Sequence, residues 1–291
     1  MNDFGLLNID KPAGVTSRHV VDQVLRLVRP AKAGHAGTLD PLATGVLVVC
    51  VGPATRLIEY VQQMPKRYVG TFLLGCDSHT EDVEGEVRPL DNPPRPERDQ
   101  IARQAARMIG PIEQRPPAFS AIKIAGRRAY DIARKGQAVE IPARTIVVHS
   151  IEIVQYEYPE LVLDIRCGSG TYVRSLGRDL AQALGTGAVM SALERTEIGP
   201  FHAADAVAPE RLTRENLTEY LQPAARAVAA LPMIMLTEAE VLEISHGRLI
   251  ARSDAPAAEQ LAAFDDAGRL VAILRPRPAG LGPLRNFPRE A

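Results

Sequence analysis

The run Val46-Leu47-Val48-Val49-Cys50-Val51 contains no polar side chain. A strand with one face in water alternates apolar and polar residues, so an unbroken apolar run predicts a central strand covered on both faces. The segment leading into it is Gly34-His35-Ala36-Gly37-Thr38-Leu39-Asp40-Pro41-Leu42-Ala43-Thr44-Gly45. It places a carboxylate among glycines, ahead of a proline, at the mouth of that strand. Glycine lets backbone approach a ligand closely, and Pro41 holds Asp40 in an extended or turn conformation. Taken alone, the loop is ordinary turn chemistry.

Short elements surround it. Residues 6–9 read as a strand, and Thr16 or Ser17 caps a helix whose apolar face is Val20, Val21, Val24, Leu25 and Val28. Residues 54–62 read as a short helix and 66–74 as a strand with Tyr68 near its start. Four prolines make 88–98 an exposed connection, and the following helix stops at Gly110-Pro111. Residues 119–136 hold a short strand, a turn at Ala125-Gly126 and a basic helix; too short to own a core, this unit projects as a flap. Residues 144–155 and 160–167 pair as strands. The second ends at Cys167-Gly168-Ser169-Gly170, and a helix follows with Thr171, Tyr172 and Arg174 in its first turn. Strand, glycine turn and helix make a setting that suits a site. Residues 193–201 form a later strand, 223–231 an alanine-rich connector, and 232–291 a small, mostly β module.

A net charge of −1 over 291 residues does not mark a nucleic-acid binder, but its distribution is informative. Residues 76–100 carry a local charge of −5 and residues 111–150 a local +4, so a polyanion is drawn to the second segment. No apolar run is long enough to cross a bilayer, and the first residues show no basic-then-apolar leader. Cys50, Cys76 and Cys167 are odd in number and widely spaced, which argues against a disulfide framework or a cysteine zinc site. A cytoplasmic, reducing setting is the expectation. The histidines form no helical metal pair, and no phosphate-cradling Gly-x-x-x-x-Gly-Lys occurs. Val173 stands where a dinucleotide fingerprint needs its third glycine. A Gly-x-Ser-x-Gly elbow is also missing. The remaining chemistry lies with Asp40, with Tyr68 or Tyr172, and with Arg174.

At these residues the chain resembles the TruB family, the bacterial tRNA pseudouridine synthases. The resemblance runs through Asp10-Lys11-Pro12-Ala13-Gly14-Val15-Thr16-Ser17, the Asp40 loop and Lys66-Arg67-Tyr68. It continues at Ser120-Ala121-Ile122-Lys123 with Gly126 and Tyr130, and at Gly170-Thr171-Tyr172-Val173-Arg174. These motifs, in the family's order, span most of residues 5–201. The resemblance implies an α+β pseudouridine synthase fold with a central mixed, largely antiparallel sheet flanked by helices. The implied catalytic domain covers 1–225, with an RNA-binding flap at about 119–136, and a PUA-like domain covers 232–291. It implies isomerisation of the T-loop uridine at tRNA position 55, by base flipping and without metal or cofactor.

The resemblance also assigns roles. Asp40 is the nucleophile, Arg174 the cation that keeps it ionised, and Tyr68 the ring packed on uracil. Tyr172, Leu193, Lys11 and Lys123 bind substrate, and His35 stacks or hydrogen-bonds where the nucleotide has left. Phe119, Arg127, Arg128, Tyr130, Arg134 and Lys135 contact RNA. The implied partner is the tRNA T stem-loop, with no membrane, no obligate protein partner and a monomeric chain. The family's Thr-Asp-Thr-like run reads Ser78-His79-Thr80 here, with Asp82 and Gly85 beyond, and is expected to be surface structure. Two other readings stand beside this one. A tRNA-folding chaperone of the same fold is opposed by the intact Asp40, Tyr68 and Arg174 set. A guide-RNA-directed relative is opposed by the full-length flap.

Overall fold

The computed structural model describes residues 4–119 and 141–288, together with the backbone alone of 123–124 and 127–128. Strands β1 (Gly5–Lys11), β2 (Ala33–His35), β3 (Thr44–Val51) and β4 (Lys66–Leu74) belong to the central sheet. Strands β5 (Cys76–Asp77) and β6 (Arg88–Pro89) form a small ribbon beside it. The sheet continues with β7 (Gly110–Gln114), while β8 (Lys123–Ile124) and β9 (Arg127–Arg128) pair antiparallel with each other. Strands β10 (Arg144–Glu157), β11 (Glu160–Cys167), β12 (Ala188–Ile198) and β13 (Phe201–His202) complete the sheet. Among the described residues its order is β1-β3-β12-β4-β11-β10-β7, with β2 added on β3 and β13 on β12. Its pairings are antiparallel except that of β3 with β12. The mixed, largely antiparallel α+β architecture implied by the resemblance is therefore present.

β3 behaves as its apolar run requires. Val46, Val48 and Cys50 enter one core cluster, and Leu47, Val49 and Val51 enter another on the opposite face. The second face is covered by helix α1 (Ser17–Val28), whose Thr16 cap accepts from the His19 N–H at 3.1 Å. Such a cap contributes about 1 kcal/mol. The first face is covered by helix α2 (Ile58–Gln63), a 3₁₀ turn at Ala224–Val228 and the C-terminal module. Helix α3 (Arg98–Ala106) and helix α4 (Val173–Ala183) cover the other half of the sheet. Gly110 does more than stop α3: its φ of +102° reverses the chain and starts β7.

Helix α5 (Leu217–Tyr220) precedes the C-terminal module, which has β14 (Met233–Met235), helix α6 (Glu238–Ser245), β15 (Leu261–Phe264), β16 (Leu270–Arg277) and β17 (Gly280–Asn286). The stretch expected to be a connector is packed, with Ala224, Ala227 and Val228 buried. Phe4 stacks on Phe287 at 6.1 Å, and Tyr60 donates to Gln260 at 2.6 Å, so the module shares a core with the main sheet. A cavity of about 460 Å³ lies at this junction. Its charged residues, Asp265 and Arg269, pair with each other at 2.9 Å. No helix among the described residues is long and apolar enough to cross a membrane.

One close approach in this core makes a testable claim. Gly177 of α4 lies against the Phe72 ring, where an added Cβ would sit 2.1 Å from a ring carbon. Gly177→Ala is expected to destabilise the protein by about 2–3 kcal/mol. Urea denaturation should show this loss, and Phe72→Leu should recover part of it. An unchanged midpoint in Gly177→Ala would contradict the packing.

Candidate active site

The sheet order brings four distant segments to one place. β4 lies between β11 and β12, and Tyr68 stands opposite Ile165 on one side and Arg195 on the other. β4 alternates in burial, so Lys66 and Tyr68 share one face while Arg67 takes the other. There Arg67 bridges Asp164 at 2.7 Å and Glu197 at 3.0 Å across the flanking strands, away from the cleft. Beyond the end of β11, residues 168–172 turn into α4. The Asp40 loop enters from the β2–β3 connection. Between them is a cleft of about 290 Å³ lined by Asp40, Tyr68, Tyr172, Arg174, Leu193 and Arg195 among others. A cleft of this size has room for about one nucleoside.

The loop is aimed by fastening the residues on both sides of Asp40. Ser17 Oγ donates to the Leu39 carbonyl at 3.0 Å and accepts from the Leu39 N–H at 2.8 Å. Pro41 O accepts from the Gly14 N–H at 2.8 Å and from Lys11 Nζ at 3.3 Å. Lys11, expected to touch substrate, is instead fully buried, and also donates to the carbonyls of Pro12 and Val15. Its role is to brace the loop. Burial lowers its pKa to about 8, with Asp40 opposing. The motif from Asp10 to Ser17 is thus the mount of the Asp40 loop.

Arg195 was not legible as a site residue. It is 2 % exposed and donates to Val46 O at 2.7 Å and Gly37 O at 3.1 Å. Gly45 explains how close the loop comes: with φ +91°, an added Cβ would meet Arg195 O at 2.4 Å. Burial raises the Tyr68 pKa and Arg195 opposes it, so the phenol stays protonated across the physiological range.

Arg174 is the node of the site. Its Nε meets Asp40 Oδ2 at 3.0 Å and its Nη1 meets Asp82 Oδ2 at 3.0 Å. The guanidinium also donates to Thr80 O at 2.8 Å and Phe119 O at 3.1 Å. Asp82 corrects the reading of its segment as surface structure. Its side chain is 3 % exposed, and the segment is pinned to β12 by Val83 N–H to Met190 O and Met190 N–H to Glu81 O, both 3.0 Å. Glu81, at a left-handed φ of +64°, is tied to Ser175 and Arg178 of α4. The signal that could have located Asp82 is its acidic side chain a few residues after a strand that carries a site tyrosine.

Asp40 remains 34 % exposed at the cleft floor. Burial raises its carboxyl pKa, Arg174 pulls it down, Asp82 pushes it up and Lys11 pulls it down; the net direction is upward. If the carboxylate is the reactive form, activity falls as pH drops through this raised value. The acid limb of kcat/KM is therefore expected above the ordinary aspartate range, and Asp82→Asn should move it to lower pH. A limb that stays put in Asp82→Asn would sever Asp82 from Asp40.

The other expected residues separate by position. Tyr172 and Leu193 line the cleft. Gln114, buried at the end of β7, grips the Tyr172 backbone, donating to its carbonyl at 3.0 Å and accepting from its N–H at 2.9 Å. His35 does not line the cleft; it is half-buried on β2, where burial and then Arg195 lower its pKa and favour the neutral ring. Phe119 meets His79 edge-on at 5.1 Å. The expected contacts of Lys123, Arg127, Arg128, Tyr130, Arg134 and Lys135 lie outside the residues whose side chains are described.

Three family models match in succession. Residues 25–173 match the TruB family pseudouridylate synthase N-terminal domain, and 174–229 match the tRNA pseudouridylate synthase B C-terminal domain. Residues 231–288 match tRNA pseudouridine synthase II, C terminal. Similar proteins named tRNA pseudouridine synthase B include that of Corynebacterium aurimucosum, 40% identical and covering 93% of this chain and 92% of its own length. That of Caulobacter vibrioides is 37% identical, covering 97% and 96% respectively. Among solved structures, a chain in the crystal structure of a Cbf5-Nop10-Gar1 complex superposes with a TM-score of 0.74 at 27% identity, covering 98% of this chain and 85% of that one. With matched segments running almost unbroken from α1 to β17, the chain belongs to the TruB family of pseudouridylate synthases.

Proposed function

We propose that this protein converts the T-loop uridine at tRNA position 55 to pseudouridine, acting as a single chain without a cofactor. The supporting observation is the Asp40–Arg174–Asp82 chain at the floor of a nucleoside-sized cleft walled by Tyr68. It stands in a chain similar over most of its length to proteins named tRNA pseudouridine synthase B. The reaction breaks the N1–C1′ bond, turns the uracil and joins C5 to C1′. The proton leaves C5, and N1 gains one, so there is no redox change and no group is lost.

The target nucleotide has to leave its stack to reach Asp40. Asp40, held charged by Arg174, acts as the nucleophile. Tyr68 packs against the uracil, its phenol kept protonated by burial. In this reading residues 1–225 form the catalytic body with its flap, and 232–291 contact RNA beyond the T-loop. The test is to map pseudouridine on an unmodified tRNA transcript after incubation with purified protein. A single pseudouridine at position 55 is expected, and none after a full incubation would overturn the proposal.

A further inference from the structure

Arg144 was noticed in the sequence only as part of a basic segment, yet it stands at the cleft. It opens β10 directly after the flap, opposite Gln114, the residue at which the flap leaves β7. The two are cross-strand neighbours and share a task. Gln114 holds the backbone of Tyr172, while Arg144 donates to the Gly170 carbonyl and lies over the Tyr172 ring at 5.1 Å. The guanidinium is thereby oriented on the rim before any ligand arrives.

Among the described residues no ion pair joins Arg144 to a carboxylate, and its buried Nε has no hydrogen-bond partner there. The nearby Glu113 is taken by Thr145 at 2.5 Å. The other cations lining the cleft are occupied. Arg174 serves Asp40 and Asp82, Arg195 serves the carbonyls of the Asp40 loop, and Lys66 donates to Gln62 O and Met64 O. A guanidinium held by one N–H on a carbonyl and by its face on an aromatic ring still has an N–H to offer a phosphate at the rim. The N-terminus of α4 opens on the same rim with no side-chain cap and no acidic residue in its first turn, which adds to the positive potential there.

We infer that Arg144 binds one of the two phosphates flanking the flipped uridine, and so holds the nucleotide's backbone at the rim while its base enters the cleft. This rests on the proposed function, because it takes the ligand to be RNA with one nucleotide extruded. Arg144 is a substrate-binding residue in this account, and its contact is with the backbone rather than the base.

The test is a double-substitution cycle on a T stem-loop hairpin, in an Asp40→Asn background so that the RNA stays unchanged. Each flanking phosphate is replaced in turn by a neutral methylphosphonate, and Kd is measured with Arg144 and with Arg144→Gln. Arg144→Gln should weaken binding about 10-fold or more, and one methylphosphonate should do the same to the Arg144 protein. The two changes together should cost no more than either alone. The salt dependence of log Kd should flatten by about 0.7, the value of one single-strand phosphate contact. If Arg144 only props Tyr172, Arg144→Gln will weaken charged and neutral hairpins by the same factor at both phosphates, and the inference fails. Should Arg144→Gln not fold, Arg144→Lys in the same cycle gives the same discrimination, with a smaller coupling expected. Failure of the functional reading is separate: it shows as no pseudouridine with the unsubstituted protein, whatever the cycle gives.

Discussion

Asp40→Asn is expected to lower pseudouridine formation on a tRNA transcript on the order of 10⁴-fold or more, while tRNA affinity changes only a few-fold. The substitution removes a charge and almost no volume. The loop should keep its place because its mount does not involve the side chain: Ser17 holds Leu39, and Lys11 and Gly14 hold Pro41. A loss of this size corresponds to about 5 kcal/mol of barrier, more than positioning by a neutral amide restores. Single-turnover rates and filter binding separate the two effects. Turnover near the unsubstituted rate would remove Asp40 from the chemistry, and a collapse of binding in step with the rate would assign it to recognition instead.

The second large effect is expected at Arg174. Its guanidinium reaches two carboxylates and two carbonyls at once, which a lysine ammonium cannot do from one point. Arg174→Lys should cost about 100-fold or more in kcat with a smaller change in KM, because Asp40 keeps a cation nearby but loses its orientation. Arg174→Met goes further and leaves Asp82 buried without a counter-charge, which costs about 3–5 kcal/mol of stability. Adding Asp82→Asn to Arg174→Met should recover much of that stability and none of the activity. Recovery of both would mean that the pair only holds the fold. Full activity in Arg174→Lys would show that orientation of Asp40 does not matter.

These two residues were legible in different degrees. Asp40 and Arg174 each sit in a local context that marks them, a glycine-rich turn before a buried strand and the first turn of a helix after a strand. Lys11 was legible as a motif member but not in its role, since only the folded chain shows its ammonium sealed under three carbonyls. Asp82 was misread because an acidic residue in a run of acidic residues has the composition of a solvated surface. Its burial depends on Arg174, which is 92 positions away. Arg195 had no local signal either: in a strand, a charged residue in an alternating pattern reads as outward-facing. The Val46 carbonyl it serves lies 149 positions earlier.

By itself, the amino-acid order determined the longer elements, the burial of β3 on both faces and the candidates Asp40, Tyr68 and Arg174, because those depend on periodicity and on turn chemistry within a few residues; it missed β2 and β7, and the strand read at 193–201 begins at Ala188 and ends at Ile198. It also carried the family resemblance, since motif order is a linear property. The tertiary structure alone decided which charges are compensated. The guanidiniums of Arg174 and Arg195 draw on acceptors from remote segments, while among the described residues Arg144 meets no carboxylate. Electrostatic pairing acts through space over a few ångströms, and the sheet order that sets those distances joins β3 to β12 and β4 to β11 across long stretches of chain.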